Sequence, residues 1–242
     1  MYQPDSQAEF DLRLEWGLPG IHALAAASRA VVIVDVLSFS TSVDIAAARG
    51  AAVLPYRWRD PSAAGFAAAR GAILAAKRPA GGYTYSPASL LSIQPGTALV
   101  LPSPNGSTLS LSAGPNLWTA CLRNCRAVAA AVRRMGPPVA VIPAGEQWAD
   151  DTLRPAAEDL LGAGAVLAEL PGRLSPEAEL AVAAFERFRR RLPEALAGCV
   201  SGRELIARGY PQDLDLAAEY AVSHAAPVLR GDRFVADLTV AQ

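Results

Sequence analysis

Residues 31–43, "VVIVDVLSFSTSV", place a carboxylate and a cluster of hydroxyls directly after a run of β-branched residues. Asp35 carries the carboxylate, and the hydroxyls belong to Ser38, Ser40, Thr41 and Ser42. A buried strand needs no carboxylate at its end, and a helix start needs only one capping side chain. Asp35 therefore has two interpretations: the N-cap of a helix over 39–49, or a functional group at the end of a strand.

A second polar segment, "SPNGST", follows the apolar run "TALVLP" and contains Asn105, Gly106, Ser107 and Thr108. Helix N-termini offer free backbone N–H groups and a positive dipole end, which together bind anions without lysine. We therefore expect a phosphate on the helix starts of residues 38–42 and 105–108. The alternative for "SPNGST" alone is a turn followed by a capping hydroxyl.

Two adjacent carboxylates, Glu158 and Asp159, lie in "LRPAAEDLLGAG", where Pro155 begins a helix. Carboxylates in a first helical turn are stabilised by the dipole whatever their task, so a structural role would also explain them. Mg²⁺ is usually held by one or two carboxylates together with water and substrate phosphate. Asp35 with Glu158 or Asp159 would suit that ion, and Glu146, in a glycine-containing loop, is a weaker candidate.

Hydrophobic periodicity predicts strands that alternate with helices. This order favours an α/β fold with three αβα layers around a mostly parallel or mixed sheet. We expect one α/β domain over 1–242, with two lobes at about 1–150 and 151–242 as the alternative. Strands are predicted in "FDLRLEW", "AVVIVDV", "TALVLP" and "PVAVIPA". Helices are predicted at 39–49, 61–77, 105–112, 124–135, 154–170 and 175–191.

Ligands in such folds bind beyond the carboxyl ends of the strands. If strands end near Asp35, Leu101, Ala120 and Pro143, the segments "SFSTS", "SPNGST", "CLRN" and "AGEQ" share one edge of the sheet. The stretch "KRPAGGYTYSPASL" is either a linker or an active-site loop. "APVLRGDRFVADL" predicts a final hairpin that turns at Gly231-Asp232.

Charge, apolar runs and the number of cysteines and histidines exclude several classes of function. A formal net charge of −1 argues against a nucleic-acid or anionic-membrane surface. The sequence has neither a long uncharged apolar run nor a basic, apolar leader, so we expect a cytoplasmic protein. Its three cysteines are too few for a disulfide framework, and "CLRNC" lacks the spacing of a zinc site. Only two histidines are present and no P-loop motif occurs, which excludes histidine-rich metal sites and P-loop NTPases.

In order and spacing these motifs resemble the 2-phosphosulfolactate phosphatase family, Mg²⁺-dependent hydrolases of the coenzyme M pathway. The family's aspartate-Val-Leu-Arg signature is similar to "DVLSFSTS", and its Asn-Gly-Thr helix start is similar to "PNGST". Its Leu-Asn segment, Ala-Gly loop and Glu-Asp helix resemble "CLRN", "PAGE" and "RPAAEDLLGAG". Near the end, "SGRELIARGYPQDLDLAAEY" resembles the family's Gly-Arg and Asp-containing stretch.

The resemblance implies Mg²⁺-assisted hydrolysis of a small phosphorylated acid by a protein that forms a homodimer. It implies catalytic roles for Asp35, Asn105 and Glu158. The implied metal ligands are Asp35, Glu158 and Asp159. The implied phosphate contacts are Ser38, Ser40, Thr41, Ser42, Gly106, Ser107, Thr108, Asn124, Arg123 and Arg203.

Two departures from the family pattern concern charge. Ser38 stands where the family usually has arginine, and Leu109 follows "NGST" where arginine is common. A serine cannot replace a bidentate contact with phosphate or sulfonate. We therefore expect a substrate related to phosphosulfolactate rather than that compound, with Arg123 and Arg203 as compensating cations.

The sequence leaves two alternatives each for the role of Asp35 and for the function of the protein. Asp35 is either a metal ligand or a nucleophile, and Leu37 stands where haloacid-type phosphatases need a second aspartate. The alternative function is a non-catalytic anion-binding or scaffold protein that keeps the fold.

Overall fold

The computed structural model describes residues 6–78 and 81–237, and most of their strands join one large mixed sheet. The sheet has nine strands in the order β1-β7-β2-β6-β10-β11-β3-β5-β4. Helices cover both of its faces, so the predicted α/β class with three layers is confirmed.

Two groups of parallel strands make up most of the sheet. The first is β1-β7-β2-β6, and the second is β3-β5-β4. The first group comprises β1 (Leu12–Leu14), β7 (Val139–Pro143), β2 (Ala30–Val34) and β6 (Leu117–Ala120). The second comprises β3 (Ala52–Tyr56), β5 (Ala98–Pro102) and β4 (Ile73–Leu74).

A hairpin late in the chain joins the two groups. Its strands, β10 (Pro227–Arg230) and β11 (Arg233–Ala236), are linked by the predicted turn at Gly231-Asp232. β10 pairs antiparallel with β6, and β11 pairs antiparallel with β3. Three successive antiparallel pairings make the second group run opposite to the first. The sheet therefore contains strands from both of the stretches considered as alternative lobes.

Each face of the sheet has its own helices. α1 (Gly17–Leu24), α2 (Phe39–Ala48) and α4 (Gly106–Ser112) pack on one face. The other face carries α5 (Cys125–Arg133), α6 (Ala157–Leu167) and α7 (Pro176–Phe188). The remaining α-helices and strands are α3 (Ser62–Ala68), the β8–β9 ladder (Glu146–Gln147 and Leu153–Arg154), α8 (Leu192–Gly198), α9 (Val200–Ala207) and α10 (Pro211–Ala218). Short 3-10 helices lie at Ala25–Ala27, Pro87–Ser92 and Arg189–Arg191.

Alternation along β2 explains why both faces are covered. Val31 and Ile33 belong to the core around α1, α2 and α4, whereas Val32 and Val34 belong to the core around α5 and α6. The first of these cores also takes Val53 from β3. α4 contacts both β2 and β3, so strands of both parallel groups pack against this helix. The segment after β5, which leads into α4, therefore comes close to the end of β2.

The predicted helix over 61–77 differs most in extent from the structure, and the helix predicted over 154–170 spans only Ala157–Leu167. The Ala- and Leu-rich pattern over 61–77 predicts a single helix, but α3 ends at Ala68. Gly71 has a φ of 58°, which ends the helical path, and Ile73–Leu74 then pairs with β5 as β4. Pairing with a neighbouring strand here outweighs local helix propensity.

The helices of the described ranges are short. The longest, α7, has 13 residues, and no helix in 6–78 or 81–237 has the length and apolar character needed to cross a membrane. The cysteines are free thiols, and Cys121 and Cys125 of "CLRNC" are buried.

Candidate active site

A cavity of about 890 Å³ lies where the segments after β2, β5 and β7 meet. Asp35, Asn105 and Glu146 line it, one from each of these segments. Its basic lining residues are Arg59, Lys77, Arg78, Arg154 and Arg208. Carboxylates and guanidinium groups thus face the same space, a combination suited to a polyanionic ligand and a cation.

Asp35 is buried at the end of β2, and its carboxylate joins the starts of two helices. Oδ1 accepts the N–H of Phe39 at 3.2 Å, and Oδ2 accepts the N–H of Gly106 at 3.0 Å. These N–H groups open α2 and α4. Asp35 therefore caps both helices while it lines the cavity, so the structural and functional interpretations of this residue are compatible.

Gly106 is needed for this approach. A Cβ atom at this position would meet the ring of Phe39 and would lie 2.8 Å from Asp35 Oδ2. A larger residue would push the carboxylate away from the N-terminus of α4. Steric contact therefore explains why the "NGST" motif has a glycine at position 106.

The hydroxyls after Asp35 divide into two sets. Ser40 and Thr41 serve the fold: Ser40 Oγ accepts the Asp35 N–H at 2.9 Å, and Thr41 donates to the carbonyl of Val36 at 2.8 Å. Ser38 and Ser42 line the cavity.

Ser42 is 1% exposed, and its Oγ has no hydrogen-bond partner within the described part of the chain. An unpaired buried hydroxyl is costly unless a ligand or water satisfies it. Ser42 is accordingly the cluster's best-placed donor to a ligand in the cavity.

The hydroxyls of α4 lie away from the cavity lining. Ser107 is buried and donates to the carbonyl of Leu101 at 3.1 Å, and Thr108 is half-buried on the same helix. Asn105 does line the cavity, and its Nδ2 donates to Glu146 Oε2 at 2.9 Å. Of this motif, Asn105 therefore reaches the ligand space directly, and Gly106 acts through Asp35.

Glu158 and Asp159 lie behind the cavity lining at the start of α6, and both are buried. Asp159 Oδ1 accepts the N–H of Val36 at 2.7 Å, and Oδ2 accepts the N–H of Gly145 at 2.9 Å. Asp159 thereby ties together the loops that carry Asp35 and Glu146. Like Asp35, Asp159 uses both oxygens to accept backbone N–H groups, but unlike Asp35 it does not line the cavity.

The carboxyl groups perturb one another's ionisation. Burial raises the pKa of Asp35 to about 6, and Glu158 adds to that rise. Burial also raises the pKa of Glu146 to about 7, with a further contribution from Asp35. The pKa of Asp159 is raised well above its ordinary range by burial and by the Glu158 and Asp35 charges. The cluster therefore holds protons that a cation would displace.

The carboxylates that line the cavity are candidate ligands for a divalent cation of the Mg²⁺ type. Among residues 6–78 and 81–237, neither Asp35, Glu146, Glu158 nor Asp159 forms an ion pair. Within the same ranges no three acidic, cysteine or histidine side chains converge closely enough to hold a metal unaided. Mg²⁺ commonly needs only one or two carboxylates, with water and substrate phosphate completing its shell. Asp35 and Glu146 would supply these two.

Comparison with known proteins identifies the family. A family model described as 2-phosphosulpholactate phosphatase matches residues 20–232. The chain belongs to this family. A curated relative, the 2-phosphosulfolactate phosphatase of Methanothermobacter thermautotrophicus, is 30% identical over 138 residues. The aligned region is 57% of this chain and 58% of that protein, so the match spans little more than half of the relative's length.

The basic residues of this 2-phosphosulpholactate phosphatase family member differ from those the sequence predicts. Arg123 pairs with buried Asp44 at 2.9 Å and also contacts Glu219, and it does not line the cavity. Asn124 Oδ1 accepts the Cys121 N–H at 2.8 Å inside the fold. The "CLRN" segment thus stabilises the protein beside the site without entering the ligand space.

Arg203 is also outside the cavity. It lies exposed on α9, whereas Glu204, Leu205 and Arg208 near the end of the same helix line the ligand space. The loop "KRPAGGYTYSPASL", considered as a linker or an active-site loop, contributes Lys77, Arg78 and Tyr85 to the wall. Pro79 and Ala80 of that loop lie outside the described residues.

The two departures from the family pattern have different surroundings. Leu109 is buried in the core on α4 and does not line the cavity, so its lack of charge removes no cation from the ligand space. Ser38 does line the cavity, and Nη2 of Arg78 lies 3.3 Å from its Oγ. A guanidinium therefore reaches the position of Ser38 from another segment. The sequence could have suggested Arg78 only through the loop that contains it.

Proposed function

We propose that this protein is a Mg²⁺-dependent phosphatase that hydrolyses a small phosphorylated hydroxy acid of the 2-phosphosulfolactate type. Membership of the family and the activity for which the Methanothermobacter relative is named support this reaction class. The observation that carries the proposal is that Asp35 and Glu146, close enough to raise the pKa of Glu146, line one cavity together with several arginines.

Asp35 and Glu146 would hold the metal, with Glu158 behind them adding negative charge. A bound Mg²⁺ would neutralise charge on the phosphoryl oxygens and polarise the attacking water. Two backbone hydrogen bonds fix the Asp35 carboxylate toward the cavity. The same orientation would suit a nucleophilic carboxylate, so the proposal includes both roles for Asp35.

Glu146 is the second carboxylate that we assign to the metal. Burial raises its pKa to about 7, so a bound cation would displace its proton near neutral pH. Asn105 orients the carboxyl group through its 2.9 Å hydrogen bond to Oε2.

Arg59 and Arg154 are the cations best placed to bind the phosphate. Arg59 lowers the pKa of Asp35, and Arg154 lowers the pKa of Glu146, so each lies within electrostatic range of one of these carboxyls. Aromatic rings support both guanidiniums: Arg59 lies 5.0 Å from the ring centre of Tyr85, and Arg154 lies 5.6 Å from that of Trp148. Held in this way, they lose little freedom when an anion binds.

The test is phosphate release from a panel of phosphorylated acids in excess Mg²⁺ and in excess chelator. Phosphosulfolactate is compared with 2-phospholactate and other phosphorylated hydroxy acids, because our sequence interpretation expects a related compound to be the better substrate. Calorimetry measures Mg²⁺ binding separately, with one weak site per chain expected. Metal-independent release would contradict the metal's role, and binding of phosphorylated acids without any turnover would favour the scaffold alternative.

The location, oligomeric state and pathway are proposed from the family resemblance. We propose a cytoplasmic homodimer that acts in coenzyme M biosynthesis or a related route. Light scattering on the purified protein tests the dimer, and a monomeric mass would contradict it.

A further inference from the structure

Arg78 is the most firmly anchored guanidinium among the cavity-lining arginines whose contacts are described. Its Nη2 donates to the carbonyl of Tyr85 at 2.6 Å, lies 3.0 Å from Asp213 Oδ2 and is 3.3 Å from Ser38 Oγ. The guanidinium carbon also lies 4.8 Å from the ring centre of Tyr210. Four separate points of the chain thus hold one cation at the cavity wall.

Asp213 is the anchor of this arrangement. It is fully buried on α10, and its Oδ1 accepts hydrogen bonds from the Ser86 hydroxyl and, at 3.4 Å, from the Ala88 N–H. Its other oxygen faces Arg78. A buried ion pair is an expensive way to stabilise a fold, which favours a role in fixing the position of a charge.

The anchoring leaves part of the guanidinium available. All three contacts are made by Nη2, and Nη1 has no acceptor within the described ranges. Arg78 lines the same cavity as Asp35 and Glu146, and within the described ranges its one ion pair is with Asp213 and not with either of these carboxylates. Arg78 therefore shares the cavity of the proposed phosphate site without pairing with its carboxylates.

We propose that Arg78 binds the second anionic group of the substrate, its carboxylate or sulfonate, and that Asp213 is the residue that positions it. This inference rests on the proposed function, because it assumes a substrate that carries an acid group besides its phosphate. Arg78 then determines specificity for phosphorylated acids over simple phosphate esters.

The test uses two ligands that differ only in the second acid group. 2-Phospholactate carries a carboxylate where isopropyl phosphate has a methyl group. Their binding to the Mg²⁺-loaded protein is measured by calorimetry, and KM and kcat are measured in parallel. Binding reports on Arg78 even when no turnover occurs, so failure of this inference and failure of the proposed function give different results.

We expect Arg78→Met to weaken 2-phospholactate binding about 10- to 100-fold, the range for loss of a charge-assisted contact. Isopropyl phosphate binding should be unchanged. Arg78→Lys should recover part of the loss, because lysine keeps the charge without the planar fork. Arg187→Met, at an exposed arginine of α7 that does not line the cavity, is the matched control for removal of one positive charge.

Asp213→Asn tests the positioning role. It should raise KM for 2-phospholactate and leave both kcat and the KM for isopropyl phosphate unchanged. Circular dichroism verifies that this buried variant is folded. If it is not, Arg78→Lys, which keeps the charge but not the planar fork, remains as the test of the proposal. Equal losses for both ligands in Arg78→Met, or no loss for either, would overturn the proposal.

Discussion

Oδ2 of Asp35 lies 3.0 Å from the backbone nitrogen of Gly106, although 71 positions separate the two residues in the sequence. Oδ1 of the same carboxylate accepts the N–H of Phe39. The first N–H groups of α2 and α4 therefore bind an internal anion and are not free for a phosphate. This relationship also places a carboxylate between two helix N-termini, where negative charge is stabilised.

Asp35→Asn should reduce hydrolysis to the background rate, because it removes the charge that we assign to the metal or to nucleophilic attack. The fold should survive. An amide can accept only one of the two N–H groups, at a cost of about 1 kcal/mol, and removal of a buried like charge offsets part of that loss. Kinetics and thermal unfolding measure both effects. Undiminished turnover would show that Asp35 is only a helix cap.

Gly106→Ala should destabilise the protein by about 1–3 kcal/mol and reduce activity, because the added methyl group overlaps Phe39 and crowds Asp35. Denaturant unfolding measures the change in free energy. Gly65→Ala is the matched control in the interior of α3, where a Cβ meets nothing within 4 Å. That variant should gain about 0.5–1 kcal/mol. Equal effects at the two glycines would contradict the steric argument.

Mg²⁺ affinity should rise with pH and level off above about pH 8. Asp35 and Glu146 have pKa values raised to about 6 and about 7, so the metal must displace protons below these values. Calorimetry across this range measures the trend. Glu146→Gln should weaken binding and end the rise about one pH unit lower, whereas Glu204→Gln, at an exposed lining carboxylate, should change little. Affinity independent of pH would rule out these ligands.

Without metal, the same raised pKa values should make the folded state less stable as pH increases. The unfolded chain releases the two protons near the ordinary values of 3.8 and 4.5, and the folded chain retains them until about 6 and 7. The unfolded state therefore binds fewer protons between about pH 4 and 7, so the free energy of unfolding contributed by these groups falls across this window. Urea titrations in chelator, with Glu146→Gln for comparison, measure the slope.

Arg123→Gln should destabilise the protein by about 3–5 kcal/mol, because it leaves the buried Asp44 carboxylate unpaired. KM should not change, since Arg123 lies outside the cavity. Arg126→Gln, which breaks an exposed pair with Glu169, is the control and should have little effect on stability. A rise in KM without loss of stability would restore Arg123 as an anion-binding residue.

Local pattern was sufficient for much of the fold. The continuous β-branched run of β2 and the two-residue turn at Gly231-Asp232 both have strong signals. β3 was not predicted, since Pro55 interrupts its pattern, yet the strand pairs with β5 along its length. The predicted extent of α3 was too long, because residues 73–74 form β4 only by pairing with a strand distant in sequence.

The candidate site was predictable where polarity exceeded the needs of folding. Asp35 and Asn105 follow apolar strands, so their sequence context indicates a site, and both line the cavity. Arg59 comes from a segment without a motif, and Arg154 opens "RPAAEDLLGAG", where the carboxylates and not the arginine indicated a site. Both arginines reach the cavity through tertiary structure. Arg123 lies in a segment that matches the family, but the buried partner that holds it elsewhere, Asp44, cannot be inferred from spacing.

The hairpin β10–β11 has a consequence for biosynthesis. The hairpin pairs with β6 on one side and with β3 on the other. β6 and β3 therefore gain these antiparallel partners only when residues 227–236 have left the ribosome. Until then both groups present unpaired strand edges, which are templates for aggregation. A nascent chain of this protein should therefore expose these strand edges to chaperones until the hairpin has emerged.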